Sequence, residues 1–391
     1  MTSTQPGIHL TRILSLVAVY VLLFLAIILN IRSIQPSLHE LLDFGSFIAA
    51  GKESALGKNP YAEDLPLVYS LESPNTGQSL PSPNLNPPIS IFFFRSFSRV
   101  DPLKAVSSWR TLTTLLFVMS VFILARAFRF SQKPTQILWA LSLAGFWNTI
   151  LLGQIYVPLL ILGIGVWLLA ERQYYKLAGL ALGFLVAIKP NFAFWLFLLG
   201  TGGYLSVALS AGMVAFFLSS LPLFIWGPEI FKQWLAALSH YPSIGLLIAG
   251  NSSFQSLTAR FGSGLPGTVI SLLFICGSLY LTHRYKFSLS KINTLGIVGS
   301  LLVSPFSWVG YTILTLPIFF SRSKWNWQYK LAAVLLAFPY ILVMYFFQKA
   351  FLYSLLFGWL YGWGLLLLVF GSLSSQDDKS ANRFHFTENQ T

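Results

Sequence analysis

Apolar runs recur along almost the whole chain, and this pattern restricts its fold more than any other feature. Charged residues make up 9% of the 391 residues, whereas about 25% is usual for soluble domains. The mean hydropathy is +0.68. Because a helix satisfies its own backbone hydrogen bonds in lipid, the runs predict an all-α polytopic membrane protein, a bundle of about twelve spanning helices. The predicted spans lie near residues 13–31, 105–125, 137–152, 155–170, 177–190, 191–201, 203–226, 265–282, 292–305, 307–321, 331–347 and 351–372.

Several of these runs are shorter than the roughly 20 residues that a spanning helix needs. They are joined at Gly153, Pro190 and Pro305, which favours broken or tilted helices. Irregular backbone at membrane depth is stable only where protein or water satisfies its polar groups. The pattern therefore predicts an internal cavity.

The positions of lysine and arginine set the predicted orientation. The formal net charge is +13, but the basic residues lie in loops between apolar runs, which is typical of a topology signal, so we expect no nucleic-acid partner. Most fall in alternate loops that become cytoplasmic, and Arg12 places the N-terminus on that side. The outer face then receives the long loops at about 32–104 and 227–264, the Gly153-Gln154 turn, Lys189 and residues 304–308.

The chain is expected to form one transmembrane domain, residues 1–372, followed by a flexible cytoplasmic tail, residues 373–391. Short loops and the absence of eukaryotic targeting signals favour a bacterial inner membrane, with the active site on its periplasmic face. The single cysteine, Cys276, cannot form an internal disulfide. No zinc-site spacing, nucleotide-binding fingerprint or Asp-x-Asp motif occurs, so the sequence predicts no metal, no cofactor and no nucleotide-sugar donor.

Asp43 is the acid placed best for chemistry. It lies in the stretch ELLDFGSFIAAGKESALGKNPY, residues 40–61, which follows the first span. Leu41, Phe44 and Phe47 recur at helical spacing and predict a short amphipathic helix at the membrane surface. A carboxylate held there could act as a general base on a lipid-linked substrate. The alternative is that Asp43 only caps a helix that begins at Phe44.

Two cationic or titratable residues could assist Asp43. His39 lies four residues earlier, on the same helical face, where it could orient Asp43 or contact a phosphate. A solvated loop histidine is the alternative. Lys189 ends an apolar run and precedes Pro190. It could steady a lipid phosphate, or it could only reach the headgroups.

Uncharged polar residues on the outer side are of a type that suits sugar hydroxyls. Gln154 follows Gly153, and Asn251 and Gln255 lie in the segment GNSSFQSL. Trp308 lies in the break at Pro305, where it could also be only an interface anchor.

Six short blocks occur in the order of a known family. They are Asp43-Phe44 with the following AGKESALGKNPY, NPP at 86–88, GQ at 153–154, AIKP at 187–190, NSSFQSL at 251–257 and LVSPFSW at 302–308. Together they resemble glycosyltransferase family 87, whose members include polyprenyl-phosphate-mannose-dependent mannosyltransferases. The resemblance covers about residues 35–320 and implies a GT-C fold with a structured first external loop and a cavity for a lipid-phosphate sugar.

The resemblance also implies roles for individual residues. Asp43 matches the catalytic position, and it would take the proton from an acceptor hydroxyl that attacks the anomeric carbon, with inversion and without a metal. Lys189 would steady the polyprenyl phosphate that leaves. The implied partners are this donor, a lipid or glycan acceptor and the membrane lipids. We expect further substrate contacts from His39, Asn86, Gln154, Asn251, Gln255, Trp308 and Tyr311.

One position departs from the family pattern. Members often carry a histidine after the SPxSW block, where this chain has Val309, Gly310 and Tyr311. The task of that histidine would fall here to Tyr311, His39 or His240, or the donor differs.

Two other classes of function remain open. A transporter or flippase of lipid-linked saccharides would use the same cavity, but it would favour ionisable residues buried within spans, which the sequence largely lacks. A polymerase or ligase of surface polysaccharide would depend on outer-loop arginines, of which there are few.

Overall fold

Helices make up most of the folded chain. The computed structural model describes residues 6–37, 39–72, 79–128, 133–240 and 242–374, without the side chains of 6–13, 71–72, 79–80, 133, 240 and 242–244. The predicted tail therefore lies outside the described residues beyond residue 374, and so does the side chain of His240.

The first loop is structured. The chain runs through α1 (Pro6–Ile34), a 3₁₀ turn (Gln35–Ser37), α2 (Leu42–Ala55), strands β1 (Ser70–Glu72) and β2 (Ser79–Pro81), α3 (Ile89–Arg95) and α4 (Pro102–Ala127). The two strands pair antiparallel, with Ser70 opposite Pro81. Two short helices and a hairpin thus separate the long helices α1 and α4.

The remaining described elements are helical. They are α5 (Lys133–Ser142), α6 (Ala144–Leu152), α7 (Tyr156–Glu171), α8 (Tyr175–Ile188), a 3₁₀ turn (Pro190–Phe192), α9 (Ala193–Thr201), α10 (Leu205–Trp226), α11 (Glu229–His240), α12 (Pro242–Leu247), α13 (Phe254–Ala259), α14 (Leu265–Tyr285), α15 (Leu289–Val303), a 3₁₀ segment (Val309–Thr315), α16 (Leu316–Phe320), α17 (Trp327–Ala337), α18 (Tyr340–Phe347), α19 (Phe351–Gly358) and α20 (Leu360–Ser374).

The number of helices that could cross a membrane alone is smaller than predicted. Within the described ranges, four are long and apolar enough: Leu14–Ser37, Pro102–Ala127, Leu205–Trp226 and Leu265–Tyr285. Three bent pairs, α5 with α6, α17 with α18 and α19 with α20, raise the count to seven if each pair is one span. The prediction of about twelve spans is therefore not confirmed.

Helix length explains this difference. Most of the predicted apolar runs do form helices, but α7 has 16 residues, α8 has 14 and α15 has 15. At 1.5 Å per residue such helices reach about 21–24 Å, which is less than the roughly 30 Å of bilayer hydrocarbon. Of these short helices, α15 is buried along most of its length.

Close helix packing builds this interior. Gly179 and Gly183 lie one turn apart on α8, as in a G-x-x-x-G motif. A Cβ atom on Gly183 would lie 2.8 Å from the carbonyl oxygen of Ala211 on α10, so only glycine lets the two helices approach this closely. The outer side of α10 carries exposed Phe216 and Phe224, as expected of a helix that faces lipid.

Candidate active site

A cavity of about 730 Å³, named here the central cavity, lies between the first loop, the ends of several short helices and α11. Six predicted site residues line it: Asp43, Asn86, Gln154, Lys189, Trp308 and Tyr311. Among the described residues that line it, Asp43 is the one acid and Lys189 is the one lysine or arginine. One cavity thus brings together a single carboxylate and a single ammonium group.

Asp43 is held by a hydrogen bond on each carboxylate oxygen. The hydroxyl of Tyr69 donates to Oδ1 at 2.5 Å, and Nε2 of Gln154 donates to Oδ2. The residue lies in the first turn of α2, which begins at Leu42, so the alternative that Asp43 caps a helix beginning at Phe44 is wrong. Leu42 itself has a φ of +44°, a left-handed conformation that costs a branched residue about 1–2 kcal/mol. Backbone strain of this kind is often found beside functional groups.

The surroundings of Asp43 act on its pKa in opposite directions. Burial raises the pKa above its ordinary value, because a carboxylate loses its hydration there. The hydrogen bonds from Tyr69 and Gln154 and the positive charge of Lys189 lower it, and the net shift is upward. A raised pKa makes a carboxylate a stronger base, which suits Asp43 to accept a proton.

A tight turn presents Gln154 to Asp43. Gly153 ends α6 with a φ of +69°, a conformation that glycine adopts without strain. Its carbonyl oxygen accepts from Nε1 of Trp109 at 3.0 Å. Arg110, the next residue on α4, donates to the carbonyl oxygens of Ile150 at 2.9 Å and Leu151 at 2.7 Å in the same turn.

Arg110 also joins this turn to the segment before α2. Its Nη2 donates to the carbonyl oxygen of Glu40 at 3.0 Å. The guanidinium therefore contacts the backbone on both sides of the pair, three residues before Asp43 and three to four residues before Gln154. We name this set of bonds the Arg110 clamp. It fixes the relative position of the two segments that carry Asp43 and Gln154.

Lys189 lies at the end of α8 with its ammonium group above two tyrosine rings. The distance from Nζ is 5.8 Å to the ring centre of Tyr156 and 5.4 Å to that of Tyr311. The two rings pack against each other at 4.1 Å between centres. In the part of the chain that the structure describes, no carboxylate lies within ion-pair distance of Lys189. Its charge is thus held by aromatic faces and stays available to an anion.

Asn251 and Gln255 do not line the central cavity. The buried Nδ2 of Asn251 donates to the carbonyl oxygen of Pro305 at 2.9 Å, and its Oδ1 accepts from the backbone nitrogen of Ser307 at 3.3 Å. Nε2 of Gln255 donates to the carbonyl oxygen of Val303 at 3.4 Å. In this structure both side chains hold the backbone of the break that precedes Trp308.

The structure shows where His39 lies and what a histidine at position 310 would contact. The prediction that His39 shares a helical face with Asp43 is wrong, because α2 begins at Leu42 and His39 lies in an exposed turn outside the central cavity. A Cβ atom on Gly310 would lie 2.4 Å from Cδ2 of Tyr156. A histidine at position 310 would therefore displace Tyr156, one of the two rings that the Lys189 ammonium group contacts.

Some residues of the site were not predicted. Tyr69, Asn148, Tyr156 and Tyr340 all line the central cavity. Tyr69 lies in a polar loop, and Tyr156 begins an apolar helix, so neither position stands out in the sequence. Only the folded structure places Tyr69 beside Asp43 and Tyr156 beside Lys189.

Comparison with known families decides the class of the protein. The sequence model of glycosyltransferase family 87 matches residues 84–305, which is more than half of the 391-residue chain. The chain belongs to glycosyltransferase family 87. No curated protein sequence and no solved structure matches it in the corresponding comparisons.

Membership in glycosyltransferase family 87 confirms the resemblance and indicates a membrane glycosyltransferase, which uses a sugar donor and an acceptor. The apolar helices agree with a membrane location. The matched segment contains Gln154 and Lys189 but begins after Asp43. Any role for Asp43 therefore depends on the geometry of the central cavity.

Proposed function

We propose that this member of glycosyltransferase family 87 transfers a sugar from a polyprenyl-phosphate donor to a hydroxyl of a lipid or glycan acceptor, on the outer face of the membrane. The observation that carries the proposal is the pairing of one carboxylate, Asp43, with one ammonium group, Lys189, in the central cavity. Transfer from a phosphodiester needs a base for the acceptor and a positive charge for the leaving phosphate. The cavity offers one group for each task.

The reaction follows from these two groups as a single displacement. Asp43 takes the proton of the acceptor hydroxyl while the hydroxyl oxygen attacks the anomeric carbon. The bond from that carbon to the phosphate oxygen breaks, and polyprenyl phosphate leaves with the electron pair. Lys189 stabilises the charge that grows on the phosphate. One displacement inverts the configuration at the anomeric carbon and requires no metal.

The lining of the central cavity suits a substrate that is part lipid and part sugar. Phe194, Phe197 and Ile275 contribute apolar surface, and Phe197 is 59% exposed. The cavity thus meets the apolar surface of the protein, where a polyprenyl chain could enter from the membrane.

Amide side chains supply polar groups on the other side. In the described part of the chain, the buried oxygens Oδ1 of Asn86, Oδ1 of Asn148 and Oε1 of Gln154 belong to cavity residues and have no hydrogen-bond partner. Buried acceptors without partners are unfavourable, so the hydroxyl groups of a sugar would stabilise these amides if a rotation of the side chains turned the oxygens toward the cavity. Mannose is the proposed sugar, and its support is the family resemblance.

Radiolabelled sugar transfer tests the proposal. Purified protein in detergent would receive a panel of polyprenyl-phosphate sugars together with a membrane lipid extract. We expect one donor to label a new product, and we expect Asp43→Asn to lower turnover on the order of 10²–10⁴-fold, as loss of a general base does. Lys189→Met should also lower turnover. Asp64→Asn is the matched control, because Asp64 is an exposed acid of the same loop that does not line the cavity.

The outcomes separate the alternatives. Equal transfer by wild type and Asp43→Asn would remove Asp43 as the base. No transfer by monodisperse wild type from any donor of the panel would contradict the proposed donor. A transporter would keep its function in Asp43→Asn, since carrying a saccharide requires no proton transfer from the acceptor.

A further inference from the structure

We infer that Tyr69, the residue before β1, is a positioning residue that fixes the Asp43 carboxylate for its reaction. The inference rests on the proposed role of Asp43 as the base. The observation behind it is that Tyr69 and Gln154, from two separate segments of the chain, donate to different oxygens of the Asp43 carboxylate.

Two donors on two oxygens leave the carboxylate a single orientation. Rotation about the Cβ–Cγ bond of Asp43 would break the bond from Tyr69 and the bond from Gln154 together. Each carboxylate oxygen can accept about two hydrogen bonds, so each oxygen can still accept one from the hydroxyl group that receives the sugar. The two hydrogen bonds thus fix the orientation of the carboxylate and leave it able to bind the substrate hydroxyl.

The backbone around Tyr69 is tied to the helix that carries Asp43. The carbonyl oxygen of Tyr69 accepts from the backbone nitrogen of Ser82 at 2.9 Å. The carbonyl oxygen of Ser82 in turn accepts from the hydroxyl of Ser46 at 2.5 Å, and Ser46 lies one turn after Asp43 on α2. The two ends of the hairpin are therefore hydrogen-bonded to the face of α2 that carries the Asp43 carboxylate.

A glycine on α2 allows the segment before Tyr69 to lie against the helix. A Cβ atom on Gly45 would lie 2.6 Å from the carbonyl oxygen of Leu67. Any larger residue at position 45 would push this backbone away, two residues before Tyr69. The close approach and the serine bonds together place the phenol hydroxyl on Asp43.

The charged and titratable groups around Asp43 are few. Tyr69, Tyr156 and Lys189 interact with it, and Tyr311 packs against Tyr156 in the central cavity. Arg110 on the neighbouring α4 directs its guanidinium to backbone carbonyl oxygens. Of these groups, the Tyr69 hydroxyl is the one tyrosine donor that lowers the pKa of Asp43, against the larger effect of burial. It keeps the base ionised at lower pH than burial alone would allow.

Tyr69→Phe removes this hydroxyl and leaves the ring. We expect the acid limb of the pH profile of kcat/KM to move up by about one pH unit, because a hydrogen bond to a charged group stabilises the ionised form by roughly this amount. Turnover at pH values below the limb should then fall about tenfold. Tyr61→Phe is the matched control, since it removes another buried tyrosine hydroxyl of the same loop, whose partner is the carbonyl oxygen of Asn86. Its acid limb should stay in place.

A second variant covers the case in which Tyr69→Phe does not fold. 3-Fluorotyrosine at position 69 keeps the shape of the side chain and makes the phenol more acidic, hence a stronger donor. It should move the acid limb in the opposite direction, to lower pH. A purely structural role for Tyr69 would lower protein yield or melting temperature without moving the limb in either direction.

An infrared titration gives a readout that does not depend on turnover. The carboxyl band that is present in wild type and absent in Asp43→Asn reports protonation of Asp43. We expect its apparent pKa to rise in Tyr69→Phe and to fall with 3-fluorotyrosine. An unchanged band titration, or an unchanged acid limb, would overturn the inference. If the band titration shifts in the Tyr69 variants but wild type transfers no sugar, the proposed function is refuted, while the effect of Tyr69 on the Asp43 carboxylate stands.

Discussion

Arg110→Met tests whether the Arg110 clamp positions Asp43 and Gln154 or only stabilises the fold. The guanidinium is 7% exposed and makes three hydrogen bonds of 2.7–3.0 Å to backbone carbonyl oxygens. Two of these carbonyl groups, those of Ile150 and Leu151, belong to the last turn of α6, and that of Ile150 also accepts from the backbone nitrogen of Gly153 at 3.4 Å. Methionine fills similar volume but removes the charged donor from all three carbonyl groups.

The expected loss follows from these bonds. A hydrogen bond to a charged group contributes about 1.5–3 kcal/mol, but Glu40 is exposed and its carbonyl group can return to water. Counting only the two bonds to α6, we expect Arg110→Met to lower the free energy of unfolding by about 3–5 kcal/mol. For a chain of 391 residues this corresponds to a fall in melting temperature of roughly 4–6 °C. Arg110→Lys should lose less, because an ammonium group can keep one of the bonds.

Activity decides between the two roles of the clamp. A shift of about 1 Å in a catalytic group can lower turnover on the order of 100-fold, so we expect kcat of Arg110→Met to fall far more than its folded fraction. The assay is thermal unfolding in detergent together with sugar transfer below the melting temperature. Arg126→Met is the control, because Arg126 is an exposed arginine at the other end of α4. A destabilised Arg110→Met with unchanged kcat would refute the positioning role, and an unchanged melting temperature would refute the energetic argument.

Two further substitutions test the surroundings of the carboxylate. Burial raises the folded-state pKa of Asp43, so the ionised carboxylate destabilises the fold as the pH rises from the unfolded pKa of about 3.9 to the folded one. Asp43→Asn should therefore have the melting temperature of wild type near pH 4 and a higher melting temperature than wild type at pH 7. Equal melting temperatures of the two proteins at both pH values would contradict a burial cost. Gly153→Ala places a Cβ atom 2.7 Å from Cβ of Phe44 in a residue with a φ of +69°, so we expect a loss of about 2–4 kcal/mol by thermal unfolding, together with lower transfer. Gly57→Ala is its control, since Gly57 has a φ of +70° with no atom within 4 Å, and an equal loss in both variants would mean that the contact with Phe44 has no effect.

The sequence predicted where helices form better than how they cross the membrane. The expected spans at 105–125, 203–226 and 265–282 correspond to α4, α10 and α14. An apolar run reports burial away from water, and burial inside a protein gives the same signal as burial in lipid. For this reason α15 was predicted as a span, although it has only 15 residues and is enclosed by other helices.

The candidate site was predictable only where a residue interrupts a local pattern. Lys189 and Gln154 stand out because each follows an apolar run at a turn, and both line the central cavity. Tyr69 approaches Asp43 through a fold contact across 26 residues, and its loop has no periodicity that would indicate it. Arg110 was not predicted either, because its partners are backbone carbonyl groups, which every sequence contains.

The two charges of the central cavity also act on each other, and this links donor binding to the strength of the base. In this structure the positive charge of Lys189 lowers the pKa of Asp43, against the larger effect of burial. A phosphodiester bound beside Lys189 carries a negative charge, which offsets that of the ammonium group. With the proposed donor bound there, the pKa of Asp43 would rise further, so the carboxylate would become a stronger base when the donor is in place. Lys189 would thus serve the reaction twice, by restraining Asp43 before the donor binds and by stabilising the phosphate as it leaves.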